Sequence, residues 1–129
     1  MISDLDRAIA DKRAPWTEIE RTESLYTVFR DAFAVTPGHL LFVPAQETWE
    51  CVAACYQAAY ETGAAGVTQG QWDAFNIGQN VGEAAGQTVM YPHVHMIPRR
   101  QGDCADPTGG VRGVISSQQN YKRPGYIKP

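Results

Sequence analysis

Between Tyr91 and Arg99 the chain reads Tyr-Pro-His-Val-His-Met-Ile-Pro-Arg, with histidines alternating with apolar residues. A period of two belongs to a β-strand, whose successive side chains point to opposite faces. Alternate residues on one face lie ~6.6 Å apart. Tyr91, His93 and His95 therefore share one face, and Val94 and Met96 take the other. Two neighbouring imidazoles suggest a site, because imidazole serves as nucleophile, base or ligand near neutral pH. The third and last histidine, His39, follows a Pro-Gly pair at the start of another apolar run.

A chain of 129 residues fits one domain with one modest core. Its net charge of −3 argues against a nucleic acid polymer or an anionic membrane as partner, since both favour a basic field. A local anion pocket remains compatible with it. No apolar run approaches the ~20 residues that cross a bilayer. The N-terminal stretch is too charged for a signal peptide. Cys51, Cys55 and Cys104 form no disulfide framework, so the expected compartment is reducing and cytoplasmic.

The expected fold class is α+β. Ser3 caps a short first helix, with Asp4 and Asp6 in its first turn, Leu5 and Ile9 on one side, and Pro15 ending it. Strands are expected over 17–22, 25–30 and 39–44, the last of them buried. The main helix is expected over 47–60, with Trp49, Val52, Tyr56 and Ala59 at helical spacing, and 63–70 breaking it. A strand follows over 73–78, then a Gly- and Ala-rich loop over 79–86, then a long strand over 88–97 ended by Pro98. Residues 1–129 read as a single domain, with 99–129 as an irregular, extended tail.

The loop and the histidine strand belong together chemically. A histidine nucleophile must be neutral, with one ring nitrogen free and the other pinned as N–H by an acceptor. A neighbour must donate to the leaving group or to the developing charge. His93 and His95 can divide those roles. Gly82 and Gly86 let backbone N–H groups approach an anion, and Gln87 and Thr88 add donors. Phosphate is the natural anion.

Here the chain resembles the histidine triad (HIT) family of nucleotide hydrolases and transferases. The family signature H-φ-H-φ-H-φ-φ, with φ apolar, stands here as Tyr91-Pro92-His93-Val94-His95-Met96-Ile97, followed by Pro98-Arg99. Phe75 to Thr88 resembles the loop before it. Phe29-Arg30-Asp31, Pro37-Gly38-His39 and Leu41-Phe42-Val43-Pro44 resemble the N-terminal half. The resemblance implies an antiparallel sheet of about five strands, one main helix and a short N-terminal helix.

It also implies roles. His93 is the nucleophile, His95 contacts phosphate and assists the leaving group, and His39 supports them. Asp31 binds the ribose, Phe29 walls the base pocket, and Asn80, Gln87 and Thr88 hold phosphate oxygens. The implied activity is hydrolysis at the α-phosphate of a dinucleoside polyphosphate or a nucleoside phosphoramidate through a nucleotidyl-histidine. No cofactor is implied, beyond Mg²⁺ carried by a polyphosphate substrate. A homodimer is implied as well.

Two departures stand out. Tyr91 replaces the first histidine of the signature, and Pro92 replaces an apolar residue. The Cys-x-x-Cys pair that many bacterial members use for structural zinc is missing. A backbone carbonyl at position 91 would make an imidazole there dispensable. Two other readings stay open, a nucleotide-binding module that has lost efficient catalysis and a nucleotidyltransferase. Plainer roles compete at single positions: core for Phe29, a turn for Asp31, a solvated strand end for Arg99 and Arg100. Cys51 and Cys55 read as buried thiols.

Overall fold

The computed structural model describes residues 2–129. In it five strands form one antiparallel sheet in the order β1-β2-β3-β5-β4. They are β1 (Ile19–Thr22), β2 (Tyr26–Arg30), β3 (Leu40–Pro44), β4 (Ala74–Gly78) and β5 (Val94–Arg99). Helix α1 (Asp4–Ala10) and the long helix α2 (Trp49–Thr68) complete the α+β fold expected. No helix among the described residues is long and apolar enough to cross a membrane.

The sheet has a core on each face. On one, Val28, Phe42, Val94 and Met96 pack against Cys55, Ala58 and Ala59 of α2. On the other, Phe29, Leu41, Val43 and Tyr91 pack with Leu5, Ala8 and Ala14, and Trp16 leans on them. The alternation through β5 is thus realised, with Val94 and Met96 toward α2 and Tyr91 on the opposite face. Ser3 caps α1 by accepting from the Asp6 N–H at 3.0 Å, as expected of a serine before an acidic first turn.

Several boundaries move, each for a physical reason. Helix α1 ends at Ala10, well before Pro15, because Lys12 turns the chain through a left-handed φ of 61°. Its buried side is Leu5 and Ala8, while Ile9 stays exposed. Helix α2 runs through Gly63 and Gly66 to Thr68, so these glycines do not break it. A Cβ on Gly63 would collide with the Phe75 ring, and one on Gly66 with the Trp72 ring. Trp72 is fastened there by its Nε1–H, which donates to the Gly63 carbonyl at 2.9 Å. The glycines are therefore contact surface, bought with helix propensity. The buried stripe of α2 is Cys51, Cys55, Ala58, Ala59, Gly63 and Gly66, whereas Trp49 is exposed.

Strand β5 starts at Val94 and not near Thr88, and it continues through Pro98. Met96 pairs with Leu40, the first residue of β3, so Pro98 is paired with Phe75 of β4 alone. A strand tolerates proline where one side lacks a partner. The tail is compact where an extended one was expected. It forms 3₁₀ turns at Gly110–Val114 and Ser116–Gln118.

The seat of Trp72 on α2 gives a stability test. Gly66→Ala should cost about 1–3 kcal/mol, the usual range for forcing a methyl into a filled contact. Urea unfolding of the variant against wild type measures it. An unchanged midpoint would mean that Trp72 does not rest on α2 as described.

Candidate functional site

The register across the sheet sets one row of side chains. Phe29 of β2 pairs with Leu41 of β3, Leu41 with His95 of β5, and His95 with Gly78 of β4. Paired residues point to the same face, so His95 stands on the face away from α2, beside Leu41. Gly78 has no side chain, which leaves space on the β4 side of His95. His93 lies just before β5, with its ring 5.3 Å from that of His95. His39 lies just before β3, with its ring 5.1 Å from His95. All three histidines of the chain meet here.

Their hydrogen bonds assign the protons. The Tyr91 carbonyl lies 2.8 Å from His93 Nδ1 and can only accept, so Nδ1 carries the proton. His93 Nε2 is then a free lone pair. On His39 the Val35 backbone N–H donates to Nδ1 at 3.2 Å, so the His39 proton sits on Nε2. That Nε2–H points at His95 Nδ1, 2.9 Å away. His95 therefore accepts at Nδ1 and carries its own proton on Nε2. Two histidines two residues apart hold opposite tautomers, one offering a lone pair and the other an N–H.

Both imidazoles of the inner pair are held neutral. Burial, then the neighbouring His93 and His39, pushes His95 down from 6.5 to about 4, against a smaller upward pull from Asp31. Burial also lowers His39, partly offset by Asp31. Asp31 does two jobs. Its Oδ1 accepts from the Phe33 N–H at 2.8 Å and shapes the turn, while Oδ2 sits 3.4 Å from His39 Nε2. Asp31, His39 and His95 also present ligand atoms within 4.8 Å of one another and can hold a divalent ion. An ion there would replace the hydrogen bond between the two imidazoles.

The remaining candidates divide. Asn80 and His95 line one cavity of about 820 Å³, beside His39, Asn76 and Ile77. Phe29 is buried to 1% exposure, 5.9 Å from Trp16, whose ring lies 4.9 Å from that of His93. Phe29 thus reaches the site through Trp16. Trp16 itself was not among the expected site residues, because a lone aromatic before the first strand carries no spacing signal.

Gln87 is spent on its own loop. Its Oε1 accepts from the Gly82 N–H at 2.8 Å, and its Nε2 donates to the Val89 and Met90 carbonyls. A phosphate contact from that amide would require breaking these bonds. Thr88 is exposed at the end of the loop. Gly82 and Gly86 both take positive φ, 94° and 90°, with open space where a Cβ would stand. Conformation, and not crowding, calls for glycine at these two positions.

Tyr91 is excluded from the chemistry by its direction. Its hydroxyl donates to the Pro44 carbonyl at 2.6 Å within the core. Burial pushes the phenol further up, so it stays neutral. Arg99 and Arg100 are also engaged, Arg99 with Asp103 and Asn76, and Arg100 with Thr36 and the Pro37 carbonyl.

Comparison with known proteins identifies the family of the fold. A zinc-bound histidine triad family protein from Mycobacterium smegmatis is 30% identical, with a TM-score of 0.64 over 77% of this chain and 76% of that one. The NitFhit protein of C. elegans is 26% identical, with a TM-score of 0.60 over 78% of this chain and 26% of that one. The adenylylsulfatase HINT3 of Arabidopsis thaliana is 50% identical over 32 residues, 25% of this chain and only 16% of that protein. The model of the HIT domain matches residues 18–102, about two thirds of the chain, and the chain belongs to the HIT domain family.

Proposed function

We propose that this protein is a nucleotide hydrolase that cleaves at the α-phosphate of a dinucleoside polyphosphate or nucleoside phosphoramidate through a nucleotidyl-histidine. The observation that carries the reading is the pair of opposite tautomers. The His93 Nδ1–H is held by the Tyr91 carbonyl, which leaves Nε2 as a nucleophile. His95 Nε2–H, fixed by His39 at the far side of the ring, is a donor for the leaving atom.

In the first step Nε2 of His93 bonds to phosphorus. The bond from phosphorus to the leaving atom breaks, and its electron pair goes to that atom. A leaving group that needs a proton takes it from His95 Nε2, which is reprotonated from solvent. In the second step a water oxygen bonds to phosphorus, the N–P bond breaks, and its electron pair returns to His93. The proton released by water balances the one drawn earlier. Asp31 is read as the ribose contact, and Asn80 and Thr88 as phosphate contacts. Nucleotide-hydrolase relatives within the family support the chemistry, and the same membership supports a homodimer.

The nucleophile is tested by comparing nucleoside monophosphate release from a panel of substrates. The panel holds diadenosine polyphosphates, adenosine phosphoramidates and adenylyl sulfate. His93→Ala should lower turnover at least ~10³-fold, as loss of a covalent nucleophile does. Tyr91→Phe keeps the carbonyl at position 91 and should retain most of the activity. Full activity in His93→Ala would end the proposal. If the wild type released nothing yet bound the monophosphate, the binding-module reading would take its place.

The neutral pair also predicts a pH dependence of stability. The folded pKa of His95, about 4, lies below its ordinary 6.5. Below 6.5 the unfolded chain binds a proton that the folded chain refuses. The contribution is therefore complete above 6.5 and lost as pH falls toward 4, by a few kcal/mol at most. Urea midpoints at pH 7 and pH 4.5 should differ more for wild type than for His95→Gln. Equal differences would remove His95 as the cause.

A further inference from the structure

A histidine nucleophile held in the tautomer of His93 acquires a charge when it reacts. Its Nδ1 keeps its proton because the Tyr91 carbonyl, 2.8 Å away, accepts it. When Nε2 gives its lone pair to phosphorus, both ring nitrogens carry a substituent and the ring becomes an imidazolium. The charge vanishes when water breaks the N–P bond and the electron pair returns to the ring. A group that favours this cation lowers the barrier to its formation, because the contact is worth more in the transition state than in the ground state.

The nearby acid is not placed to do this. Among the described residues the carboxylate beside the histidines belongs to Asp31, and it pairs with His39 at 3.4 Å. His93 has instead two aromatic neighbours, His95 with ring centres 5.3 Å apart and Trp16 with ring centres 4.9 Å apart. A second imidazole does not favour a positive charge beside it. An indole does, since its ring face is the most strongly negative of the aromatic side chains and attracts a cation within about 6 Å. The planes of Trp16 and His93 stand at 58°, an angle at which the edge of one ring meets the face of the other.

The fold holds Trp16 in this place. Two residues earlier, Ala14 is 3% exposed and its N–H donates to the Ala8 carbonyl at 3.1 Å. The chain leaving α1 is thereby folded back against the helix, and Trp16 emerges beside the histidine segment. Behind it stands Phe29, 5.9 Å away and 1% exposed, so the indole is backed by core.

Resting on the hydrolase reading above, we infer that Trp16 is a positioning residue whose indole face stabilises the imidazolium formed on His93. The consequence is a split between the two steps. The contact speeds formation of the nucleotidyl-histidine and slows its breakdown, because one step makes the cation and the other discharges it.

The test replaces Trp16 alone by mono-, di- and trifluorotryptophan through stop-codon suppression. Fluorine withdraws charge from the ring face and leaves its shape nearly unchanged. Rapid-quench single turnovers on adenosine phosphoramidate read formation and breakdown separately. Formation should slow stepwise with fluorine number, to about tenfold at three, the size of a shielded cation–π contact. Breakdown should quicken over the same series. A slowed or unchanged breakdown, or a formation rate that holds or rises with fluorine, would overturn the inference, since a merely structural contact moves both steps together.

A second arm separates this inference from the hydrolase reading. Potassium phosphoramidate transfers its phosphoryl group to histidine. The reagent already carries the proton on nitrogen, so the P–N electron pair leaves with neutral ammonia. Tandem mass spectrometry then follows loss of the phosphoryl group from His93. Faster loss in the trifluorotryptophan protein sustains the contact even if no nucleotide is cleaved, in which case only the hydrolase reading fails. Equal loss overturns the contact whatever the turnover, and a His93 that takes no group from either reagent overturns both.

Discussion

The site depends on β5 being paired on both sides. Met96, His95 and Val94 pair with Leu40, Leu41 and Phe42 of β3, while residues from His95 to Arg99 pair with β4. An interior strand cannot slip by one residue without turning every side chain to the wrong face. A slip here would put Val94 and Met96 into the site and His95 under α2, burying an imidazole against Cys55 and Ala59. The packing of α2 therefore fixes the direction of His95, although α2 supplies no group to it. Apolar burial on one face and imidazole chemistry on the other are two consequences of a single register.

Given that register, the protons follow from hydrogen-bond partners and not from ring chemistry. The two imidazoles of the His-Val-His segment are alike in sequence, yet one meets a carbonyl and the other meets a second imidazole. A carbonyl can only accept, so it forces a proton onto His93 Nδ1. His39 has its own Nδ1 occupied by a backbone donor, so it can only donate toward His95. Burial keeps His95 and His39 from taking an extra proton near neutral pH, which would put two N–H groups face to face. The direction of the chain thus rests on two backbone groups, the Tyr91 carbonyl and the Val35 N–H.

Much of this was legible in the chain, and the rest was not for reasons specific to each residue. The alternation around His93 and His95 gave the face of each side chain, because pleating has no freedom in it. Boundaries were harder. Gly63 and Gly66 look like a break, but inside α2 they make room for Phe75 and Trp72, which lie in a different element. Pro98 looks like an end, but the missing neighbour on the β3 side makes it tolerable. The apolar period through Trp49 pointed to a stripe that is partly solvent-facing, because the true stripe is built of cysteine, alanine and glycine. Gln87 as a donor is a fair reading of its side chain, but the fold of its loop consumes both ends of the amide. Trp16 reaches the site through tertiary packing alone, which no local pattern encodes.

The replacement of the first signature histidine by Tyr91 then has a physical account. The side chain at that position leaves the site and enters the core, where its hydroxyl ties the start of the histidine segment to the Pro44 carbonyl at the end of β3. The carbonyl of the same residue points the other way and holds His93. One residue thus joins the strand framework through its side chain and orients the nucleophile through its backbone. Pro92 stiffens the link between the two, since its ring locks φ and biases the residue before it toward extended backbone. The tyrosine side chain is long enough to reach Pro44 and donates once there. It stays neutral while doing so, so the side chain of Tyr91 anchors the segment while its carbonyl alone sets the tautomer of His93.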